Sequence, residues 1–361
     1  MSAAARREDP RAWNRSGRLH GVDLARALAV LGMFAAHMLT VDDFSWRDPA
    51  TWADVANGRS SILFAVLAGV SIALVSGGRR PVAGAALGLV RRRLAVRAGL
   101  LWLIGIALII TGVPLLIILP AYALLFLLAL PLLRLGARAL WGIAAALALV
   151  MPWVQPALDA LPLWDGPAGE ALGLALGWGY PFPLWTAFLV AGLAAGRSDL
   201  RAARTQVALA AGGAAAAAIA YTVDAATRAA EDEGYLGLVW TAAAHSGGIV
   251  EVVGSGGFAL AVLGVCLLVC RTPLTWALLP LRAVGTMPLT AYVGQVYAWA
   301  IVAAATIGDV SDLGRFRDLE PFWPFALLTI AACTAWALLL GRGPMERLVA
   351  AGARLAVPGR A

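Results

Sequence analysis

The sequence predicts an all-α, polytopic integral membrane helix bundle of about ten transmembrane helices, with both termini on the inner side. Three observations carry that prediction. The 361-residue chain is 61% hydrophobic and 14% charged, with a mean hydropathy of +0.80, whereas soluble domains average roughly 45–50% apolar and about 25% charged residues. Ten segments are apolar and long enough for a hydrocarbon core about 30 Å thick. The basic residues are all Arg, with no Lys, and they gather on alternate loops. A disordered chain, a nucleic-acid binder and an ordinary soluble enzyme are thereby excluded. The net charge of +7 belongs to topology rather than to a polyanionic partner.

In chain order the expected spans are residues 22–40, 60–77, 94–111, 115–133, 138–155, 181–196, 205–222, 249–270, 285–306 and 322–341. The sixth is short and opens on Pro181-Phe182-Pro183, which suits a tilted or broken helix. Residues 168–178 are apolar but too short to cross, so a re-entrant or interfacial piece is expected there. The Ala-rich run 209–220 reads as a closely packed helix, because small residues let helix backbones approach. Gly84-x-x-x-Gly88 and Gly192-x-x-x-Gly196 are weaker signals of the same kind.

Orientation follows from the Arg bias of short loops. With the N-terminus inside, 22 of the 28 Arg lie on inner segments, while Arg47, Arg59, Arg228, Arg315 and Arg317 lie outside and Arg26 lies within the first span. Acidic residues show the opposite bias, from Asp42 and Asp43 through Glu231, Asp232 and Glu233 to Asp318 and Glu320. The chain divides into a cytosolic basic segment (1–20), one membrane domain (21–345) and a cytosolic basic tail (346–361). A cleavable signal peptide is disfavoured, since the first apolar run carries Asp23 and Arg26 and lacks a small-x-small site. Cys266, Cys270 and Cys333 sit in apolar runs without ligand-spaced partners, so neither a disulfide framework nor a metal site is expected.

Charged groups inside spans cost about 2.5–3.5 kcal/mol each on insertion scales, so each is a functional candidate. At 100° per residue, Asp23, Arg26 and His37 fall within a stripe about 60° wide on the first helix. His37 lies about 21 Å beyond Asp23, close to the outer boundary. Asp23 and Arg26 alone also fit a simple i,i+3 pair at a helix start. His20 lies in the inner segment, away from the outer end of that stripe, and is expected to tolerate substitution.

A second group, His245-Ser246 through Glu251 and Ser255, stands at the outer end of the eighth span. Glu251 and Ser255 are four apart and share a face; a wet carboxylate in an interfacial loop is the structural alternative. On the inner side, Arg79 and Arg80, then Arg91, Arg92 and Arg93, flank residues 81–90. Positive-inside topology accounts for such clusters. A seat for a phosphate-bearing cytosolic ligand is the functional reading, since guanidinium forks match phosphate oxygens.

The string Arg18-x-x-Gly-Val-Asp23-x-x-Arg26-Ala-x-Ala-Val-x-Gly-Met-x-x-x-His37 resembles the opening motif of transmembrane acyltransferases of the heparan-α-glucosaminide N-acetyltransferase family and its bacterial relatives. The Arg26-x10-His37 spacing is also similar to that of the more distant acyltransferase family 3. Gly58-Arg59-Ser60-Ser61 through Ser71, His245-Ser246 through Ser255, Gly285 through Tyr292, and Arg342 through Arg347 resemble later segments of the same group. The resemblance implies transfer of an acyl group, in the first place acetyl, from cytosolic acyl-CoA to an extracytoplasmic hydroxyl or amine, in the first place of a glycan. Under it His37, His245 and Glu251 are the catalytic candidates, with His37 as general base or acyl carrier. Arg26, Arg79, Arg80, Arg91, Arg92 and Arg93 would hold the co-substrate, and Asp23, Arg59 and Ser255 would support the site. The lysosomal enzyme of the family carries a His in the loop after its first helix; residues 41–59 here have none, and His245 is the residue available in its place. The expected partners are the lipid bilayer and a small-molecule or glycan acceptor, with no nucleic acid, no metal and a homodimer left open, at the cell (plasma) membrane. The competing function is a proton-coupled transporter or flippase with His37 and Glu251 as proton carriers.

Overall fold

The computed structural model describes residues 18–45, 47–227 and 234–359. Of the residues used above for orientation, Arg6, Arg7, Arg11 and Arg15, Arg228 with Glu231, Asp232 and Glu233, and Arg360 lie outside the described residues. The described residues form sixteen α-helices and no strand.

The ten expected spans each fall on a helix: α1 (His20–Met38), α2 (Arg59–Val75), α3 (Gly84–Ile109), α4 (Leu119–Ala129), α5 (Ala137–Asp159), α7 (Phe182–Arg197), α8 (Ala203–Thr227), α10 (Ile249–Val269), α13 (Pro288–Thr306) and α15 (Phe322–Leu339). Seven of these are long and apolar enough to cross a membrane by themselves. The other three differ for visible reasons: α3 carries Arg91, Arg92, Arg93 and Arg97, while α4 and α7 are short. Between the spans lie α6 (Gly166–Leu176), α9 (Tyr235–Trp240), α11 (Leu274–Ala277), α12 (Leu279–Thr286), α14 (Leu313–Asp318) and α16 (Pro344–Ala356). The interfacial piece expected at 168–178 is α6, pinned by the Trp102 indole N–H donating to the Ala175 carbonyl at 2.8 Å.

Helix α1 is central, packing against α2, α10, α12, α13 and α15. Its apolar window is 67% buried, against 17% for the rim helices α5 and α15. Small residues set the closest crossings. A Cβ on Gly192 would fall on the Val66 backbone and one on Gly69 on the Leu189 carbonyl, so α2 and α7 meet backbone to backbone. The Ala-rich α8 meets α10 in the same way at Gly213 and Gly257. Gly84 and Gly88, by contrast, face open space. Their spacing is not a packing motif here, because the start of α3 is at the end of the bundle rather than between helices.

One end of the bundle gathers the start of α1, the end of α2, the start of α3 and helices α11, α12 and α16. The opposite end gathers the end of α1, the start of α2, α14 and the loop before α10. The first is the Arg-rich end and therefore the inner one. The basic tail is ordered over most of its length as α16, an amphipathic helix packed on α3 and α13 with Leu348 and Leu355 exposed.

Candidate functional site

At the inner end of α1, Asp23 is 2% exposed and shared by two cations. Arg18 Nε donates to its Oδ2 at 2.6 Å, and Arg26 Nη1 to its Oδ1 at 3.0 Å. Arg26 Nη2 also donates to Ser71 Oγ at 2.8 Å, tying α1 to α2. Burial of one carboxylate among two guanidiniums satisfies the charge that lipid would not tolerate. His20, expected to tolerate substitution, has a buried partner: Arg282, 1% exposed, donates from Nη2 to His20 Nδ1 at 2.8 Å. That contact crosses 262 positions of sequence, so spacing along the first helix carried no sign of it.

The five Arg grouped by sequence as a phosphate seat point in different directions. Arg79 pairs with Asp199 at 3.0 Å in the open, and Arg80 and Arg92 are exposed. Arg91 Nε donates to the Leu130 carbonyl at 3.0 Å, and Arg93 Nε to the Val357 carbonyl at 3.2 Å. Three consecutive helical residues are 100° apart and cannot share one face. The structure instead places Arg97 of α3 within range of the charges of Arg93, one turn earlier on the same helix, and of Arg342 and Arg354 in the C-terminal region. The Nε of Arg97 is buried there without a hydrogen-bond partner among the described residues.

At the outer end, the His37 imidazole stands between α13 and the loop before α10. Its Nδ1 is 3.4 Å from the Gln295 amide nitrogen. Arg317 Nε donates to the His37 carbonyl at 3.0 Å, which fixes the end of α1. His245, far from His37 in sequence, lies at the same end of the bundle, near enough for the charges of the two side chains to interact. His245 occupies the left-handed region (φ 64°), and its ring packs edge-on to Tyr180 with centroids 5.7 Å apart. The ring is ringed by protein yet reachable by solvent, as at the mouth of a recess. Desolvation pushes its pKa below the usual histidine value.

Glu251 is 4% exposed and holds that loop. Its carboxylate accepts from the His245 N–H at 2.6 Å, the Gly247 N–H at 2.7 Å and Ser246 Oγ at 3.2 Å. These donors belong to the loop before α10, while Glu251 itself lies in the first turn of that helix, where an acidic side chain suits the helix dipole. Ser255 bonds Tyr221 Oη at 3.0 Å, and Arg59 Nε donates to the same hydroxyl at 2.8 Å. Arg59 and Ser255 thus brace α2, α8 and α10 around the loop. Two buried polar atoms on one face of α13 have no partner among the described residues: Gln295 Oε1 and Trp299 Nε1. Gln295 and Arg317 were not singled out from sequence. A Gln inside an apolar span was the available signal for the first; Arg317 looked like any loop cation.

A cavity of about 760 Å³ between α5, α7, α8 and α10 is lined by Ala, Gly and other apolar residues, with Arg204, Ser198 and Thr205 at its inner end. It contains none of the histidines. A smaller one of about 320 Å³, lined in part by Glu170, Trp178 and Tyr180, adjoins the His245 ring through Tyr180.

The class defined by this fold and site is a multi-pass helical membrane protein with a histidine at the outer end of its central helix. A protein-family profile described as "Protein of unknown function (DUF418)", a membrane protein family, matches residues 192–355, from within α7 through α16. The match therefore includes His245, Glu251, Gln295 and Arg317 but not α1, and its description names no reaction. No curated protein and no solved structure matches the chain.

Proposed function

We propose that the chain is a transmembrane acyltransferase. It would take an acyl group, in the first place acetyl, from cytosolic acyl-CoA and pass it to a hydroxyl or amine, in the first place of an extracytoplasmic glycan. The observation that supports this reading is the site at the outer end of α1: an imidazole beside the Gln295 amide, on the helix whose inner end is an Asp–Arg network. In this reaction His37 takes the proton of the acceptor hydroxyl or amine as its oxygen or nitrogen attacks the thioester carbonyl. The tetrahedral intermediate then expels CoA thiolate, which receives the proton. Trp299 Nε1 is the buried donor available to the carbonyl oxygen as it gains charge. The CoA phosphates belong with Arg93, Arg97, Arg342 and Arg354, where the structure collects cations, rather than with Arg79, Arg80, Arg91 and Arg92. Glu251 keeps a supporting role, since its carboxylate already accepts three loop donors.

The test is turnover of radiolabelled acetyl-CoA by the purified protein with glucosamine as a probe acceptor. His37→Ala is expected to insert and bind acetyl-CoA while losing about 10²–10⁴-fold in transfer, the usual cost of removing a positioned general base. Near-normal transfer by His37→Ala overturns the assignment of His37. Absence of both CoA release and acetyl transfer in the wild type, with proton-coupled uptake of a solute in its place, establishes the transporter reading.

A further inference from the structure

We propose that Gln295 is a positioning residue: it holds the His37 imidazole with its proton on Nδ1 and so leaves the Nε2 lone pair free to take a proton. The proposal rests on the acyl-transfer reading for the purpose of that proton, but its structural content stands on geometry alone.

Gln295 is 2% exposed, in the middle of α13. Its amide nitrogen is 3.4 Å from His37 Nδ1, and its Oε1 is buried with no partner. The two ends of a carboxamide are nearly the same size and exchange places by a half-turn of the terminal bond. In one orientation the amide N–H donates to Nδ1. The imidazole proton must then sit on Nε2, and a buried carbonyl oxygen is stranded. In the other orientation Oε1 accepts from Nδ1–H, the stranded acceptor is satisfied, and Nε2 becomes the basic nitrogen. A buried acceptor without a donor is costly while its partnered form is not, so the second arrangement is the one the site favours.

The surroundings make this contact a fixed one. Arg317 Nε donates to the His37 carbonyl at 3.0 Å, and its Nη2 to the Ala36 carbonyl at 3.4 Å, so the backbone that carries the imidazole is clamped. Phe316, next in the chain, stacks on Trp299 with ring centroids 4.0 Å apart and an interplanar angle of 13°, which joins α14 to α13 one turn beyond Gln295. The charged or titratable groups that face His37 are Arg317 from α14 and His245 from the loop before α10. No carboxylate is among them, so tautomer control falls to the neutral amide. This is the role an aspartate has in a serine-protease triad, where a partner that selects the wrong tautomer costs about 10⁴-fold in rate.

The chain has three histidines, which makes the tautomer directly readable. The experiment is a magic-angle-spinning ¹⁵N spectrum of the full-length, ¹⁵N-histidine-labelled protein in liposomes at pH 7.5, with the His37 signals assigned by their loss in His37→Asn. The expected result is a protonated Nδ1 and an unprotonated Nε2 at His37. Gln295→Leu should shift the proton to Nε2 and reduce acetyl transfer about 10²-fold, while Gln295→Glu, which retains an acceptor, keeps it on Nδ1. A wild-type spectrum with the proton on Nε2 overturns the proposal without any variant, and so does a tautomer unchanged in Gln295→Leu. Correct tautomer control in a protein that transfers no acetyl group leaves Gln295 as the residue that positions His37 and refutes the acyl-transfer reading instead.

Discussion

His245 is one of two non-glycine residues with positive φ among the described residues, a conformation that ordinary side chains adopt at a cost of order 1–3 kcal/mol. The turn it makes aims the N–H groups of His245 and Gly247 at Glu251, so backbone and ring are separable. Asn tolerates the left-handed region better than most residues. His245→Asn should therefore keep the loop and lose only the imidazole. Its pH response provides the check. Burial lowers the folded-state pKa of His245, so below about 6.5, its ordinary value, the opened loop binds more protons than the closed one. The stabilisation is then present above that pH and lost as pH falls toward the lowered pKa. Thermal unfolding of the wild type should accordingly shift to lower temperature between pH 7.5 and 5.5 by more than that of His245→Asn. An equal shift in the two proteins removes His245 as the titrating group. At this scale the sequence shows Asp23, Arg26 and His37 through spacing along one helix, and His245 as part of a separate group at the start of another. It does not show the pairing of His20 with Arg282 or of His37 with Gln295, because those contacts join residues some 260 positions apart.

Among the helices, Arg197 matters for reasons unrelated to topology. It is 3% exposed at the end of α7 and caps the end of α2, donating to the carbonyls of Ala73, Ser76 and Gly78 at 2.8–3.2 Å. It also donates to Ser76 Oγ at 2.9 Å and to the Leu133 carbonyl at 2.7 Å. The last carbonyls of a helix lack intrahelical donors, and here one guanidinium supplies them from a neighbouring helix. Arg197→Leu strands several buried acceptors at roughly 1–3 kcal/mol each. It should lower the thermal midpoint well beyond Arg204→Leu, whose side chain is exposed. Arg197→Lys should recover only part, since an ammonium has three donors and no fork. Equal midpoints for the Arg197→Leu and Arg204→Leu proteins would contradict the capping role. Sequence reading placed Arg197 in an inner loop from its sign alone. The ten spans were legible because apolar length is a local property. The Gly84 and Gly88 spacing misled because a small-residue motif packs only where a second helix is present.

Across the whole molecule, α1 carries two groups at opposite ends of the bundle: an Asp–Arg network at the Arg-rich end and His37 at the acidic end. Charge asymmetry along the chain is enough to orient this bundle. It is not enough to show which Arg side chains come together, because α16 folds back on α3 and brings Arg354 near Arg97, with Arg342 of the preceding loop. The central claim is that an acyl group enters at one face and leaves at the other. The direct measurement uses proteoliposomes with uniformly oriented protein, radiolabelled acetyl-CoA supplied only on the Arg-rich side and glucosamine only on the opposite side. The account predicts labelled product in the glucosamine compartment, abolished by His37→Ala and weakened by the Arg97→Gln/Arg342→Gln double variant. Label that reaches glucosamine only when both reactants are on the same side, or that reaches it equally well without His37, would contradict the account.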